Sequence, residues 1–321
     1  MTRRAFTFPG QGSQTIGMGA DLAQTYPQAR AVFDEVDQAL GENLSTLIFE
    51  GEEDRLRLTS NAQPALMAVS MAVMKVLEAE GVSLEKDSSF VAGHSLGEYA
   101  ALCAAGTFSI ADTARLLRIR GDAMQAAVPV GTGAMAAILG LDMDAVKDIA
   151  NSAAHGDVCE VANDNAPGQI VISGAASATE RAVELAKSAG ARRALLLPVS
   201  APFHCSLMAP AAEAMEEALA HVQMSAPVVP VISNVSVTPV SDPAQIRKNL
   251  IAQVTGMVRW SETIAWLTGR NEEQGGVTQL LEIGAGKVLC GLARRINRET
   301  ETLAIGTPEG IENFVATLND E

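Results

Sequence analysis

The sequence predicts an α/β fold: a sheet of parallel strands covered by helices, interrupted by a smaller inserted unit. Three observations carry this reading. The apolar run SFVAG passes through a Gly-rich turn straight into the helical stretch EYAALCAAG, the strand–turn–helix order of a parallel sheet. Between about Gly133 and Val199 the order becomes strand, helix, strand, strand, helix, strand, which is that of a ferredoxin-like (βαββαβ) unit. A chain of 321 residues, 48% hydrophobic and 19% charged, is also long enough for two domains or for one large domain with an insertion.

Taken in order, AFTFPGQGSQ reads as a short buried strand ending in a Gly-rich loop. A helix is expected from Asp21 to Leu40. A longer one follows Thr59-Ser60-Asn61, with Pro64 in its first turn and Gly81 at its end. Its apolar positions Leu66, Met67, Val69, Val73, Met74 and Leu77 suit an embedded helix. After SFVAG come helices over Glu98–Ala105 and from about Ile110 to Ala127. The inserted unit is built from the strand GAMAAILGL, the helix MDAVKDIANSAA, two strands within DVCEVANDNAPGQIVISG, the helix ATERAVELAKSAG and the strand ARRALLLPV. Past Pro198 the larger pattern resumes with a helix over Ser206–Val222, the strand VVPVISN and a helix over Asp242–Val254. Another helix from Trp260, the strand TQLLEIG and a terminal helix complete it. The division is therefore residues 1–129 and 199–321 for the larger domain and 130–198 for the insertion.

Composition removes several function classes. A net charge of −15 repels phosphate backbones and anionic membrane surfaces on average, and the basic clusters Arg192-Arg193 and Arg294-Arg295 are short. Neither nucleic acid nor a membrane is an expected partner. Cys103, Cys159, Cys205 and Cys290 are scattered without CxxC spacing or neighbouring histidines, so no metal site is expected and a reduced, cytoplasmic setting is the default. MTRRAFTFPG enters a strand with no apolar segment of a signal peptide. The apolar stretch Ala65–Leu77 is short for a membrane span and contains Lys75.

The chemistry centres on Gly-His-Ser-Leu-Gly at residues 93–97. Two readings of Ser95 stand. Ser95-Leu-Gly-Glu98 fits a capping box, in which Ser and Glu side chains satisfy the first N–H groups of a helix. The same residues, between a strand and a helix, fit a nucleophile elbow whose glycines let strand and helix approach and whose next N–H, that of Leu96, faces an oxyanion. A serine nucleophile needs a base, and the chain has four histidines. His94 sits within the elbow and must point away from Ser95, His155 adjoins Gly156 on a surface turn, and His221 ends an amphipathic helix. His204, in VSAPFHCSLM after a predicted strand end, remains as candidate base or as an ordinary loop histidine. The loop PGQGSQ can give a second oxyanion donor. It lacks the glycine spacing of a dinucleotide loop, and GAGK at 284–287 lacks that of a phosphate loop. In RLLRIRGDAM, Arg115 and Arg118 share a helix face while Arg120 falls on the apolar side with Leu116, Leu117 and Met124. An inward guanidinium stays charged, so it pairs either with a buried Asp or Glu or with a substrate carboxylate.

GHSLGEYAA, TFPGQGSQ with GMG, TSNAQPAL, RIRGDAMQ, NDNAPGQIVISG and SAPFH, in that order over nearly the whole chain, resemble the malonyl-CoA:acyl carrier protein transacylase family. The resemblance implies an α/β-hydrolase-like large domain with the ferredoxin-like insertion. It implies malonyl transfer from coenzyme A to the phosphopantetheine thiol of acyl carrier protein for fatty-acid synthesis, with both thiol carriers as substrates, no separate cofactor and a monomeric enzyme. It further implies Ser95 as nucleophile, His204 as base, Arg120 as ligand of the malonyl carboxylate, the N–H groups of Gln11 and Leu96 as oxyanion hole, and the main-chain carbonyl of Gln253 as orienter of His204. Around Gln253 the chain reads QVTGMVRW, where bacterial relatives often have Asn-Pro before the Val, so support of His204 is the transfer most exposed to this departure. Gln63 and Asn163 lie in matching motifs as pocket lining or as turn caps, and Phe203 would limit space at the malonyl α-carbon. Lys287, Arg294 and Arg295, or Lys187 with Arg192 and Arg193, are candidate contacts for an acidic carrier. The alternatives are a serine thioesterase or esterase on the same elbow, an acyltransferase serving a polyketide pathway, or a non-catalytic carrier-binding subunit.

Overall fold

A computed structural model describes residues 2–199, 201–271 and 273–319; Ser200, the first residue of the SAPFH motif, lies outside them. Among the described residues there are ten strands: β1 (Arg4–Phe8), β2 (Phe90–Gly93), β3 (Gly133–Leu139), β4 (Cys159–Ala166), β5 (Gln169–Ala175), β6 (Arg193–Leu196), β7 (Val231–Ile232), β8 (Pro239–Val240), β9 (Gln279–Ile283) and β10 (Glu301–Ile305). They form a six-stranded sheet in the order β10-β9-β1-β2-β7-β8 and a four-stranded sheet in the order β4-β5-β3-β6. From β10 to β7 the first sheet is parallel, and only β8 runs against its neighbour. The second is antiparallel throughout.

The inner parallel strands β1, β2, β7 and β9 are buried on both faces, as helices on either side require, while the edge strand β10 is only half-buried. Phe6, Phe8 and Val91 face a core shared with the helix Thr59–Ala79, whereas Ala5, Ala92 and Leu280 face Trp260, Ile264 and Leu267. The four-stranded sheet has its own core, in which Ile138, Ile170 and Ile172 meet the helices Met143–Ala154 and Ala176–Ser188.

Several expectations are corrected. The helix over 21–40 is two helices, Ala20–Thr25 and Pro27–Leu40, because a residue before proline is pushed out of the α region, and Tyr26 is extended (φ −121°, ψ 118°). Helix Thr59–Ala79 begins earlier than expected, so Pro64 is its sixth residue and not in its first turn. At 21 residues this helix is long and apolar enough to cross a membrane, but 83% of its most apolar window is buried inside the fold. Helices Leu44–Glu50, Glu53–Arg57 and Leu84–Asp87, strands β8 and β10, and a second C-terminal helix were not foreseen: helix Val288–Ile296 follows β9 and helix Pro308–Asn319 follows β10. β6 ends at Leu196, so His204 lies well beyond the strand end in the segment returning to the larger sheet.

Two close approaches position the site. In helix Ile110–Ala126, a side chain on Gly121 would come within 2.6 Å of Ser60 Cα, so glycine lets this helix press on helix Thr59–Ala79 and sets Arg120 beside Gln63. The edge strand β4 carries a bulge between Val161 and Asn163 and bridges in parallel to Val258, with Asp164 N–H donating to Val258 O (2.9 Å). That bridge ties the inserted sheet to the segment that follows Gln253.

Candidate active site

The elbow is built by backbone crowding. A Cβ on Gly93 would lie 1.9 Å from Gly97 C, and one on Gly97 would lie 2.2 Å from Phe8 O, so only glycine permits β2, the turn and helix Leu96–Ala104 to meet β1 this closely. Ser95 is held at φ 54°, ψ −111°, a conformation that a non-glycine residue adopts only when its surroundings enforce it. The capping box is not formed: Ser95 makes no side-chain cap to its helix, because its hydroxyl is engaged elsewhere. Ser95 Oγ lies 2.7 Å from His204 Nε2. Glu98, the other half of the expected box, is turned into the interior.

His204 is buried and also has a positive φ of 59°. Its Nδ1 lies 2.9 Å from Gln253 O and 3.1 Å from Gly256 O. Two carbonyls fix Nδ1 as the protonated nitrogen and leave the Nε2 lone pair for the serine hydroxyl. The QVTGMVRW segment thus holds the ring through two main-chain acceptors. Burial, and next the charge of Arg120, push the His204 pKa down to about 3, so the ring rests neutral.

Arg120 is 1% exposed. Its Nη1 donates to Gln63 Oε1 (2.8 Å), and its Nη2 to Gln253 Oε1 (2.9 Å) and Ser95 Oγ (3.1 Å). Its guanidinium lies 5.6 Å from the Tyr99 ring centroid. Among the described residues no carboxylate lies within ion-pair distance of it, and its Nε, buried, has no hydrogen-bond partner. Burial lowers its pKa, yet an arginine remains protonated. Of the two sequence readings, the structural ion pair is therefore absent: a buried cation sits at the nucleophile held by neutral acceptors. Its neighbours on the helix are surface residues, Arg115 pairing with Asp112 (3.0 Å) and Arg118 with Glu42.

These groups line a cleft of about 420 Å³ that also reaches Gln11, Leu96, Met135, Asn163 and Phe203. The N–H groups of Gln11 and Leu96 donate to no protein acceptor among the described residues, and the first loop is pressed on the elbow, where a Cβ on Gly10 would meet His94 O at 2.8 Å. His94 turns away from Ser95, as expected: its Nε2 lies 2.8 Å from Asn165 Oδ1 and its ring 5.5 Å from that of Trp260, and desolvation lowers its pKa. His155 caps a helix on the surface and His221 ends another.

Sequence reasoning missed three contributors. Asn234, just past β7, accepts from Ser95 N–H at Oδ1 (2.8 Å) and donates to Gly93 O through Nδ2 (2.7 Å). Glu98 accepts from Gln253 Nε2 (2.7 Å) and Asn234 N–H (3.2 Å). Gly256 gives the second carbonyl to His204. The available signals were a polar residue at the carboxyl end of a sheet strand and a lone acid in the apolar helix LGEYAALCA.

A family model described as an acyl transferase domain matches residues 5–274. The malonyl CoA-acyl carrier protein transacylase of Bacillus subtilis is 48% identical over 322 residues, covering 100% of this chain and 99% of that protein. The crystal structure of an acyl-carrier-protein-S-malonyltransferase from Bartonella henselae is 60% identical with a TM-score of 0.96, covering 99% of this chain and 100% of that one. A type II PKS acyl-carrier protein in complex with its malonyl-transacylase gives 41% identity and a TM-score of 0.94, covering 98% of this chain and 100% of that one.

Proposed function

The chain belongs to the acyl transferase family, and from that premise we propose that it moves a malonyl group from malonyl-CoA to the phosphopantetheine thiol of acyl carrier protein through a malonyl-Ser95 intermediate. The observation that carries this is the fully buried Arg120, without a carboxylate partner, 3.1 Å from the Ser95 hydroxyl that His204 accepts at 2.7 Å. A hydrolase for neutral acyl chains has no need of a cation there.

The reaction follows from the geometry. His204 Nε2 takes the Ser95 proton as Oγ attacks the thioester carbonyl, and the N–H groups of Gln11 and Leu96 receive the oxyanion. Collapse breaks the carbon–sulfur bond and returns the proton to the coenzyme A sulfur. The carrier thiol then gives its proton to His204 and attacks the Ser95 ester. Collapse this time releases malonyl-carrier and restores the serine. Arg120 holds the malonyl carboxylate throughout, its guanidinium charge pairing with that of the acyl group. That pairing also offsets the positive charge that helps depress His204, so the base strengthens when the correct acyl group is bound. Gln63 holds Arg120, Phe203 bounds the α-carbon side, and Asn163 lines the same cleft.

For the carrier, the cluster Lys287, Arg294 and Arg295 is the favoured contact. It is exposed and has no carboxylate partner among the described residues, whereas Lys187 of the other cluster is paired with Glu184 at 2.7 Å. Fatty-acid synthesis is the pathway proposed; a polyketide carrier stands as a second reading because of the carrier complex cited above. The test is the intact mass of the protein after incubation with malonyl-CoA: one malonyl group gained by the parent and none by Ser95→Ala. A parent that hydrolyses malonyl-CoA without passing the acyl group to a carrier would overturn the transferase reading.

A further inference from the structure

Resting on the malonyl-transfer reading, we infer that Glu98 is a positioning residue for acyl selectivity: its buried carboxylate sets the orientation of the Gln253 amide and thereby aims Arg120 at the acyl site.

Gln253 is fully buried and joins the base to the cation, since its main-chain oxygen holds His204 Nδ1 and its Oε1 holds Arg120 Nη2. The second contact exists in only one of the two amide orientations. The reversed amide would set its NH₂ against a guanidinium and its oxygen against the Glu98 carboxylate, both repulsive. Glu98 Oε2 is the nearest acceptor of Gln253 Nε2 at 2.7 Å, ahead of Ser95 O at 3.0 Å and Asn234 Oδ1 at 3.5 Å. The same oxygen accepts Asn234 N–H, and the Asn234 side chain bridges Ser95 N–H and Gly93 O across the strained elbow. One acid in helix Leu96–Ala104 therefore holds the Gln253 carboxamide directly and the Asn234 main chain beside it, although it touches no substrate. It also balances the Arg120 charge from a distance, with the amide between them.

A protonated or amidated side chain keeps an oxygen that accepts from Gln253, so the role rests on the acceptor. This separates it from general support of the fold. The readout is the ratio of Ser95 acylation rates with malonyl-CoA and acetyl-CoA, which differ by the carboxylate that Arg120 reads. Glu98→Met should lower that ratio about tenfold, one hydrogen-bond increment of ~1.4 kcal/mol, beyond any fall common to both substrates. Glu98→Gln should preserve the ratio within about twofold. Gln253→Leu, which keeps the main-chain carbonyl on His204, should lower the ratio as Glu98→Met does and supplies the test if the latter does not fold. An unchanged ratio in Glu98→Met or Gln253→Leu, or a Glu98→Gln ratio as low as that of Glu98→Met, overturns the inference. Failure of the parent itself to prefer malonyl-CoA would instead sink the malonyl-transfer reading on which this rests.

Discussion

Replacing Arg120 by alanine separates selection of the acyl group from the chemistry on it. The guanidinium is 1% exposed and held by Gln63, Gln253 and Ser95, so a malonyl carboxylate reaching it forms a pair largely shielded from water. Removing one partner of a buried pair costs about 3–5 kcal/mol, which at ~1.4 kcal/mol per decade is a loss in kcat/KM for malonyl-CoA of between about a hundredfold and several thousandfold. Acetyl-CoA brings no carboxylate and escapes that loss. It even gains a stronger base, because the Arg120 charge is the second cause, after burial, holding His204 near pKa 3. Arg120→Lys should fall between, keeping the charge but losing the planar fork that meets both Gln63 and Gln253. Single-turnover acylation of Ser95, followed by intact mass with each thioester, measures both rates. Equal losses for malonyl-CoA and acetyl-CoA would refute the reasoning, since they would make Arg120 a scaffold for the elbow and not a reader of the carboxylate.

Other outcomes follow from the same geometry. Because His204 rests with a pKa of about 3 against an ordinary 6.5, acylation should not fall as pH drops through 6.5, and an acid limb there would mean a solvated base; with its folded pKa depressed, the same ring makes stability decline as pH falls from 6.5 toward 3, measurable by denaturant unfolding. Gly97→Ala places a Cβ 2.2 Å from Phe8 O, so it should cost about 3 kcal/mol or more and abolish Ser95 labelling, read by thermal melts and intact mass. Phe203→Ser should open the α-carbon side of the cleft and let methylmalonyl-CoA gain on malonyl-CoA; unchanged selectivity would end the steric role. Charge reversal at Lys287 and Arg294 should raise the KM for acyl carrier protein and leave acylation by malonyl-CoA intact, an equal effect on both steps counting against docking there.

Local pattern made much of this legible. The strand–turn–helix order at GHSLG and the βαββαβ order of the insertion survive because each element's hydrophobic period agrees with its place in the fold. Helix Met143–Ala154 was predicted to the residue, whereas strands β8 and β10 were not foreseen: at a sheet edge, short strands carry too little pattern to register. The capping box failed for a related reason. Ser and Glu three apart satisfy a local rule, but in the fold Ser95 is within reach of a base 109 positions away and Glu98 of an amide 155 positions away.

By itself the sequence determined the chemistry on offer: one serine on a turn that only glycines permit, one arginine on the apolar side of its helix, and four histidines of which elimination leaves one. Only the tertiary structure decided how they act, because hydrogen-bond partners remote in the chain are chosen by packing and not by spacing. The crossing of two helices at Gly121 placed Arg120 at the serine without a carboxylate. The end of helix Pro243–Thr255 and its cap supplied two carbonyls, those of Gln253 and Gly256, to hold His204, and the burial of Glu98 turned a helix cap into the anchor of the Gln253 amide.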